Sequence, residues 1–173
     1  LLLPLHDEVA DMVVSYGVIH HTPDQVKCFQ ELARILKPGG KLFLGVYNWE
    51  NIYRSLYFFF SPPLKTIRKI FGQRLGDLLL MLTVFPPDHI ALWLILLIVQ
   101  NSYRFPPLRD SWEQFGDFFL TPYARFYMYE EMVSLANILG LRLVEYAPGG
   151  APNNNFSHFY WFEKPLGQKK SNE

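Results

Sequence analysis

Two adjacent histidines, His20 and His21, are the residues of this sequence best suited to acid–base chemistry. They lie in a polar stretch, Ser15 to Thr22, which follows the short apolar run Met12 to Val14. Such a run is typical of a parallel strand, and α/β proteins place their chemistry where parallel strands end. An imidazole there can act as a general base. The alternative is structural, with one histidine capping the loop through its backbone contacts.

A metal site is the weaker interpretation of the histidine pair. Adjacent histidines point in different directions, and no Cys/His/Asp cluster elsewhere in the sequence completes a ligand set. The single cysteine, Cys28, lies mid-helix among packing residues, so a disulfide framework is excluded. We therefore expect no metal, an inert thiol and a reducing, cytoplasmic compartment.

A strand, a helix and a second strand must position the histidines. Thr22, Pro23 and Gln25 fit an N-cap, a first-turn proline and a residue that returns the capping bond. Asp24 fits a first-turn carboxylate that favours the helix dipole. The apolar residues that then recur at three- and four-residue steps, as on one face of a helix, are Val26, Phe29, Leu32, Ala33 and Leu36.

The sequence L-K-P-G-G-K-L-F-L, from Leu36 to Leu44, predicts the end of that helix and the start of a second strand. Proline cannot continue the helix, and the two glycines permit the chain to reverse. The second apolar strand is expected from Lys41 to Val46. The three elements together predict a βαβ unit, whose crossover should be right-handed.

The sequence D-M-V-V-S-Y-G-V-I-H-H-T-P-D, from Asp11 to Asp24, followed one helix later by L-K-P-G-G-K-L-F-L, resembles the second half of a class I S-adenosylmethionine (SAM)-dependent methyltransferase domain. The resemblance is to the type 11 kind, covers residues 3–47 closely and covers 110–163 loosely. It implies an α/β fold class, a Rossmann-like sheet represented by its later strands, with an inserted helical cap and a C-terminal antiparallel strand pair. It also implies SAM as cofactor and methyl transfer to a small-molecule or lipid-like acceptor.

The resemblance implies a role for each candidate site residue. Ser15, Tyr16 and Gly17 would lie beside the methionine part of SAM, although Gly17 could simply permit a tight exit from the strand. His20 or His21 would be the catalytic base. The residues at the carboxyl end of the second strand, where they could line the acceptor pocket or merely pack a surface loop, are Tyr47, Asn48 and Trp49.

Several SAM contacts of the resembled family have no counterpart here. They are the Gly-rich loop after the first strand, the acidic residue that takes the ribose hydroxyls and a polar pair that holds adenine. Leu3, Pro4 and Leu5 match the L-P-F that follows the adenine pair, so Leu3 is placed near the cofactor. We therefore expect the C-terminal portion of a methyltransferase, inactive as an isolated chain.

The second half of the SAM-binding core is assigned to residues 1–50. Residues 51–109 do not fit this core. The stretch is aromatic at first, then basic, and it is apolar from Leu78 to Val99 except around the sequence P-P-D-H. Neither apolar half is long enough to cross a bilayer. We expect two antiparallel helices, joined at the prolines, to cap the acceptor pocket. A basic and aromatic surface resting on a membrane is the alternative.

Residues 110–165 are expected to complete the sheet. A helix is predicted from Glu130 to Leu139, and two strands from Leu141 to Tyr146 and from Phe156 to Phe162. The formal net charge of the chain is zero, which we take to argue against a nucleic-acid partner. The rival functions are another nucleotide-binding α/β enzyme, such as a dehydrogenase, and a non-catalytic Rossmann-like domain used for partner or membrane-surface binding.

Overall fold

The computed structural model describes residues 2–100, 105–148 and 157–166. The predicted glycine- and asparagine-rich loop at 149–155, the first residue of the predicted last strand and the tail at 167–173 lie outside these ranges. The chain forms two compact units, the first made of residues 1–54 with 123–173 and the second of residues 55–122.

The helices and strands follow one another in an order that separates a sheet-forming start and end from a helical middle. They are β1 (Ala10–Tyr16), α1 (Gln25–Ile35), β2 (Leu36–Tyr47), α2 (Ile52–Thr83), α3 (Phe85–Gln100), α4 (Leu108–Phe115), α5 (Tyr129–Ile138), β3 (Arg142–Pro148) and β4 (Ser157–Glu163). A 3₁₀ turn at Ile19–His21 and a π-helical turn at Gly116–Leu120 complete the set.

The first unit is built on a four-stranded sheet with the order β1-β2-β4-β3. β1 and β2 pair in parallel around α1, as the βαβ pattern predicted. β4 pairs antiparallel with both β2 and β3. The α/β fold class and the C-terminal antiparallel pair are therefore confirmed.

The start of α1 differs from the prediction in its capping residue. Asp24 is the N-cap, and its Oδ1 accepts a hydrogen bond from the Lys27 backbone N–H at 3.0 Å. The Thr22 hydroxyl instead donates to the Ile19 carbonyl at 2.8 Å. The 3₁₀ turn that precedes the helix brings this carbonyl within reach of Thr22, and the Asp24 carboxylate takes the cap.

The predicted turn at Lys37–Gly40 lies within β2. Ala10 pairs with Leu36 and Met12 with Lys41, so four residues of β2 stand beside the single residue Asp11 of β1. This wide bulge needs glycine, because a Cβ on Gly40 would lie 2.9 Å from the Lys37 carbonyl oxygen. The strand therefore begins five residues earlier than predicted.

The core of the first unit lies on the side of the sheet that packs against α1 and α5. Phe29 of α1 and Met132 of α5 are fully buried there with alternate residues of β2 and β4. On the other side the Phe159 ring stacks with the rings of Tyr16 and Phe43, at centroid distances of 5.8 and 5.9 Å. Apolar side chains thus occupy both faces, as expected for strands of a parallel sheet.

The second unit is helical and has its own small core. The helix pair within α2 is created at Gly72, whose φ of 74° reverses the chain, and the Arg68–Asp77 ion pair joins the two halves. The buried residues of this core are Leu64, Leu80, Phe85, Phe115 and Leu120. This reversal was not predicted from the sequence.

The one break that was predicted in this region, at the prolines, is close to its expected place. α2 ends at Thr83, and Pro86 and Pro87 lie in the first turn of α3, where a missing N–H removes no helical hydrogen bond. Among the described residues, no helix has the length and apolar content needed to cross a membrane. The proposed role of this unit as a cap stays a prediction.

Candidate functional site

The chain leaves β1 at Gly17, which has a φ of 71° and donates its N–H to the Gly45 carbonyl at 3.2 Å. A Cβ built on Gly17 meets no atom within 4 Å, so the need for glycine here is conformational and the space beside it is open. Ser15 is buried, whereas the Tyr16 ring is 61% exposed and stacks on Phe159. The predicted cofactor residues Ser15 and Tyr16 therefore differ in exposure at the end of the strand, and of these two only Tyr16 is open to a ligand.

His20 is enclosed by the first unit. Its side chain is 2% exposed, and its ring centroid lies 3.8 Å from that of Tyr47. Neither ring nitrogen has a hydrogen-bond partner among the described residues. Burial, and secondarily the neighbouring His21, lowers the pKa of His20 to about 3. His20 is therefore neutral near pH 7 and is poorly suited to accept a proton; its catalytic role stays a prediction.

His21 has the better geometry for a base. Its Nδ1 lies 2.8 Å from the carbonyl oxygen of Tyr123. A carbonyl can only accept a hydrogen bond, so Nδ1 carries the proton and, in the neutral ring, Nε2 carries the lone pair. The ring is oriented edge-on to Tyr47, with centroids 5.4 Å apart. The Nε2 atom is covered by its neighbours, so a substrate can reach it only after a local rearrangement.

The three residues predicted to line an acceptor pocket have different surroundings. Tyr47 packs against the His20 ring and stacks on Phe126 with centroids 5.5 Å apart. Asn48 is buried, and its Oδ1 accepts the Glu50 N–H at 2.9 Å, which shapes the chain after β2. Trp49 is 38% exposed beneath the Arg54 guanidinium, 4.1 Å from the ring centroid.

The segment 123–127, which was not predicted to be part of the site, connects the loop after β1 with the end of β2. The Arg125 N–H donates to the His20 carbonyl at 3.0 Å, and the Tyr127 N–H donates to the Tyr47 carbonyl at 2.9 Å. The Trp49 N–H in turn donates to the Tyr127 carbonyl at 2.9 Å. The sequence Y-A-R-F-Y carries no clear periodic signal, and the hydrogen-bond partners of this segment lie 78 to 105 residues away in the chain.

A second missed pair, Tyr146 and His158, lies at the same edge of the sheet. His158 pairs in register with Val46, directly before Tyr47. The Tyr146 hydroxyl and His158 Nδ1 are hydrogen-bonded at 2.6 Å. Burial lowers the pKa of His158 and raises the pKa of Tyr146, so both groups are held neutral. Only the register of β4 brings this pair to the strand ends.

Leu3 does not join the other predicted cofactor residues. Its N–H donates to Glu31 Oε2 at 3.0 Å, and the Arg34 guanidinium donates to its carbonyl at 3.3 Å. Glu31 lies six residues into α1, or about 9 Å along the helix from its start. Leu3 is thus placed beside the later turns of α1, away from Gly17, and a cofactor contact there stays a prediction.

Comparison with known proteins finds similarity in the residues that form the first two strands and the helix between them. Residues 1–44 match the family model described as a methyltransferase domain. The chain is 41% identical over 54 residues to the probable tRNA methyltransferase 9B of Homo sapiens, covering 30% of this chain and 12% of that protein. It is 36% identical over 58 residues to the mouse tRNA (carboxymethyluridine(34)-5-O)-methyltransferase ALKBH8, covering 32% and 9%.

A solved structure, that of a SAM-dependent methyltransferase from Methanosarcina mazei, matches the fold. Its TM-score is 0.50 at 17% sequence identity, covering 95% of this chain and 63% of that one. The chain spans only about a tenth of the length of the curated relatives quoted above.

The relatives overturn the predicted partners. The two named above are tRNA methyltransferases, so the prediction of a small-molecule acceptor with no nucleic-acid partner is wrong. The argument failed because a net charge of zero averages over 173 residues. Such an average does not report the local groups with which a protein contacts RNA.

The match and the fold agree on the same elements. Residues 1–44 contain β1, α1 and most of β2. β1 and β2 end at the edge that carries Gly17, His21 and Tyr47, and α1 begins there. The predictions of the family, of the fold class and of SAM as its cofactor are confirmed. Residues 1–44 match the methyltransferase-domain family model, and the described chain has the fold of a SAM-dependent methyltransferase.

Proposed function

We propose that this chain is part of a SAM-dependent methyltransferase whose acceptor is a nucleoside in RNA, with tRNA the first candidate. The observation that supports methyltransferase activity is that the residues matched by the family model form β1, α1 and most of β2. The acceptor class rests on the similarity to the tRNA methyltransferases. A cytoplasmic location belongs to the proposal and rests on the single cysteine.

The end of β1 fits one side of SAM. SAM supplies a methyl group activated by an adjacent sulfonium. The open space beside Gly17 leaves its backbone accessible, and the neighbouring Tyr16 and Val18 are 61% and 52% exposed. A ligand with an apolar chain and a polar amino-acid end could lie along this backbone, with the Tyr16 ring as an apolar wall.

The contribution of His21 depends on the acceptor atom. Methyl transfer requires in-line alignment of nucleophile and methyl group, and a base is needed only when the nucleophile carries a proton. For a hydroxyl or amine acceptor, His21 Nε2 would take that proton while Nδ1 stays hydrogen-bonded to Tyr123. The Tyr123 carbonyl thereby fixes the tautomer.

An acceptor base would find suitable groups beside this edge. Trp49 is partly exposed and carries the Arg54 guanidinium over its ring. Aromatic faces bind unstacked bases, and arginine binds phosphate oxygens. The pair therefore supports a nucleoside acceptor, and Trp49→Ala is expected to raise the KM for RNA more than it lowers kcat.

The decisive test uses the protein expressed from its whole gene, radiolabelled SAM and total tRNA. The expected result is label in the RNA fraction that ribonuclease releases. His21→Ala should lower kcat by about 10²–10⁴, the range for loss of a general base, with little change in SAM affinity. His6→Ala is the matched control, because His6 is exposed and precedes the start of β1, whereas Gly17 and the histidine pair follow its end.

Each outcome tests a separate part of the proposal. SAM binding without labelled RNA would refute the acceptor class alone. Full turnover in both His20→Ala and His21→Ala would refute the base. Absence of SAM binding would refute the enzyme and favour the non-catalytic alternative.

A further inference from the structure

The tip of the hairpin in α2 exposes large apolar side chains next to Gly72. Ile70 is 68% exposed and Phe71 is 49% exposed. Gly72 has a φ of 74°, and no atom lies within 4 Å of a Cβ built on it, so the tip projects into open space. Apolar groups of this size at a chain reversal are not needed to hold the reversal.

An apolar stripe continues from the tip along the second half of α2. Leu75, Leu78 and Leu82 follow one another at steps of three and four residues, so they share a face of the helix. They are 49%, 51% and 68% exposed, whereas Gly76 and Leu80, on the opposite face, are buried. The stripe therefore faces away from the core of its own unit.

The charge around the tip has one sign. The sequence from Asn51 to Gly76 contains five cations and no acidic residue. Arg68 is neutralised by Asp77, and Lys65 donates to the Tyr57 hydroxyl at 2.7 Å. Lys69 and Arg74, which flank the tip, are exposed and form no ion pair with any residue that the structure describes.

We propose that the α2 hairpin is a peripheral membrane-binding element that inserts its apolar tip into an anionic lipid surface. Ile70 and Phe71 would enter the boundary between headgroups and acyl chains, and the Leu75–Leu82 stripe would lie along it. Lys69 and Arg74 would contact lipid phosphates at headgroup depth. Stable binding to a membrane surface takes such a combination of apolar insertion and basic charge.

A lipid surface fits these groups better than RNA does. RNA would be held by the two cations and by Phe71, but it would leave the aliphatic stripe in water. A second copy of the chain would cover the stripe while bringing the same cations of both copies together. An anionic bilayer satisfies both features, and this inference does not depend on the proposed methyl transfer.

The test is flotation of the protein, expressed from its whole gene, with vesicles of phosphatidylcholine alone or mixed with phosphatidylserine. Binding is expected only with the anionic mixture and should weaken as salt is raised. Lys69→Gln with Arg74→Gln should weaken it about 30-fold, from the usual contribution of two basic residues. Ile70→Asp with Phe71→Asp should abolish it, and circular dichroism would verify that the exposed substitutions leave the fold intact.

The matched control is Lys27→Gln with Lys41→Gln, which removes two exposed cations from the first unit and should leave binding unchanged. An equal loss in this control would mean that net charge, and not the hairpin, binds vesicles. Three other results would overturn the proposal: no flotation with anionic vesicles, RNA binding that depends on Lys69 and Arg74 in place of vesicle binding, or self-association removed by Leu78→Asp.

Discussion

Replacement of His20 by Phe should remove a defined part of the acid sensitivity of this protein. Burial lowers the pKa of His20 from 6.5 to about 3 in the folded chain. Between these values the unfolded chain binds a proton that the folded chain excludes, so stability is present above 6.5 and is lost as the pH falls toward 3. Below pH 6.5, the free energy of unfolding falls by about 1.4 kcal/mol per pH unit. Between about pH 7.5 and pH 4.5, the exclusion of this proton from His20 should therefore lower the free energy of unfolding by about 3 kcal/mol.

Urea denaturation of the wild type and of His20→Phe, followed by circular dichroism across this pH range, measures the effect. Phe keeps the ring contact with Tyr47, whose centroid lies 3.8 Å away, and it has no nitrogen to protonate. The difference in free energy of unfolding between the two proteins should shift by about 3 kcal/mol in favour of the variant on acidification. His6→Gln controls for loss of a histidine as such. Parallel curves for the wild type and His20→Phe would refute the enclosure of His20.

Two further substitutions test the elements that position the site. Gly45→Ala would place a Cβ 2.5 Å from Tyr16 Cδ2, so the ring must leave Phe159, and urea denaturation should show a loss of about 1–3 kcal/mol; an unchanged midpoint would contradict this packing. Asp24→Ala removes the N-cap of α1 and should cost about 1 kcal/mol in thermal denaturation, whereas Asp24→Asn should cost much less. Equal effects of the two Asp24 variants would argue against the capping role.

The βαβ part of the first unit could be predicted largely from local patterns. The apolar run before Ser15, the periodicity of α1 and the glycines before Lys41 define a βαβ unit without tertiary information. The predicted ends of the helix and of the second strand were less accurate. The capping residue changed from Thr22 to Asp24, and β2 gained the residues of its bulge, because both depend on which carbonyl or strand lies nearby.

The site could be predicted only in part. The loop that contains His20 and His21 could be located from the end of a strand, but the difference between the two imidazoles could not. His20 is enclosed by Tyr47, whereas the Tyr123 carbonyl fixes the tautomer of His21. Burial and hydrogen bonding set the chemistry of a histidine, and both come here from residues distant in sequence.

The sequence by itself determined that residues 10–47 form a strand, a helix and a strand, because periodicity, proline and glycine act over a few residues. The methyltransferase type was implied by the resemblance of the motifs in these residues, and periodicity alone does not give it. Tertiary structure decided the rest of the candidate site. The register of β4 brought Tyr146 and His158 to the strand ends, and backbone hydrogen bonds of Arg125 and Tyr127 connected the His20 loop with the end of β2. No local pattern encodes these contacts, because each depends on where the folded chain places a partner that is remote in sequence.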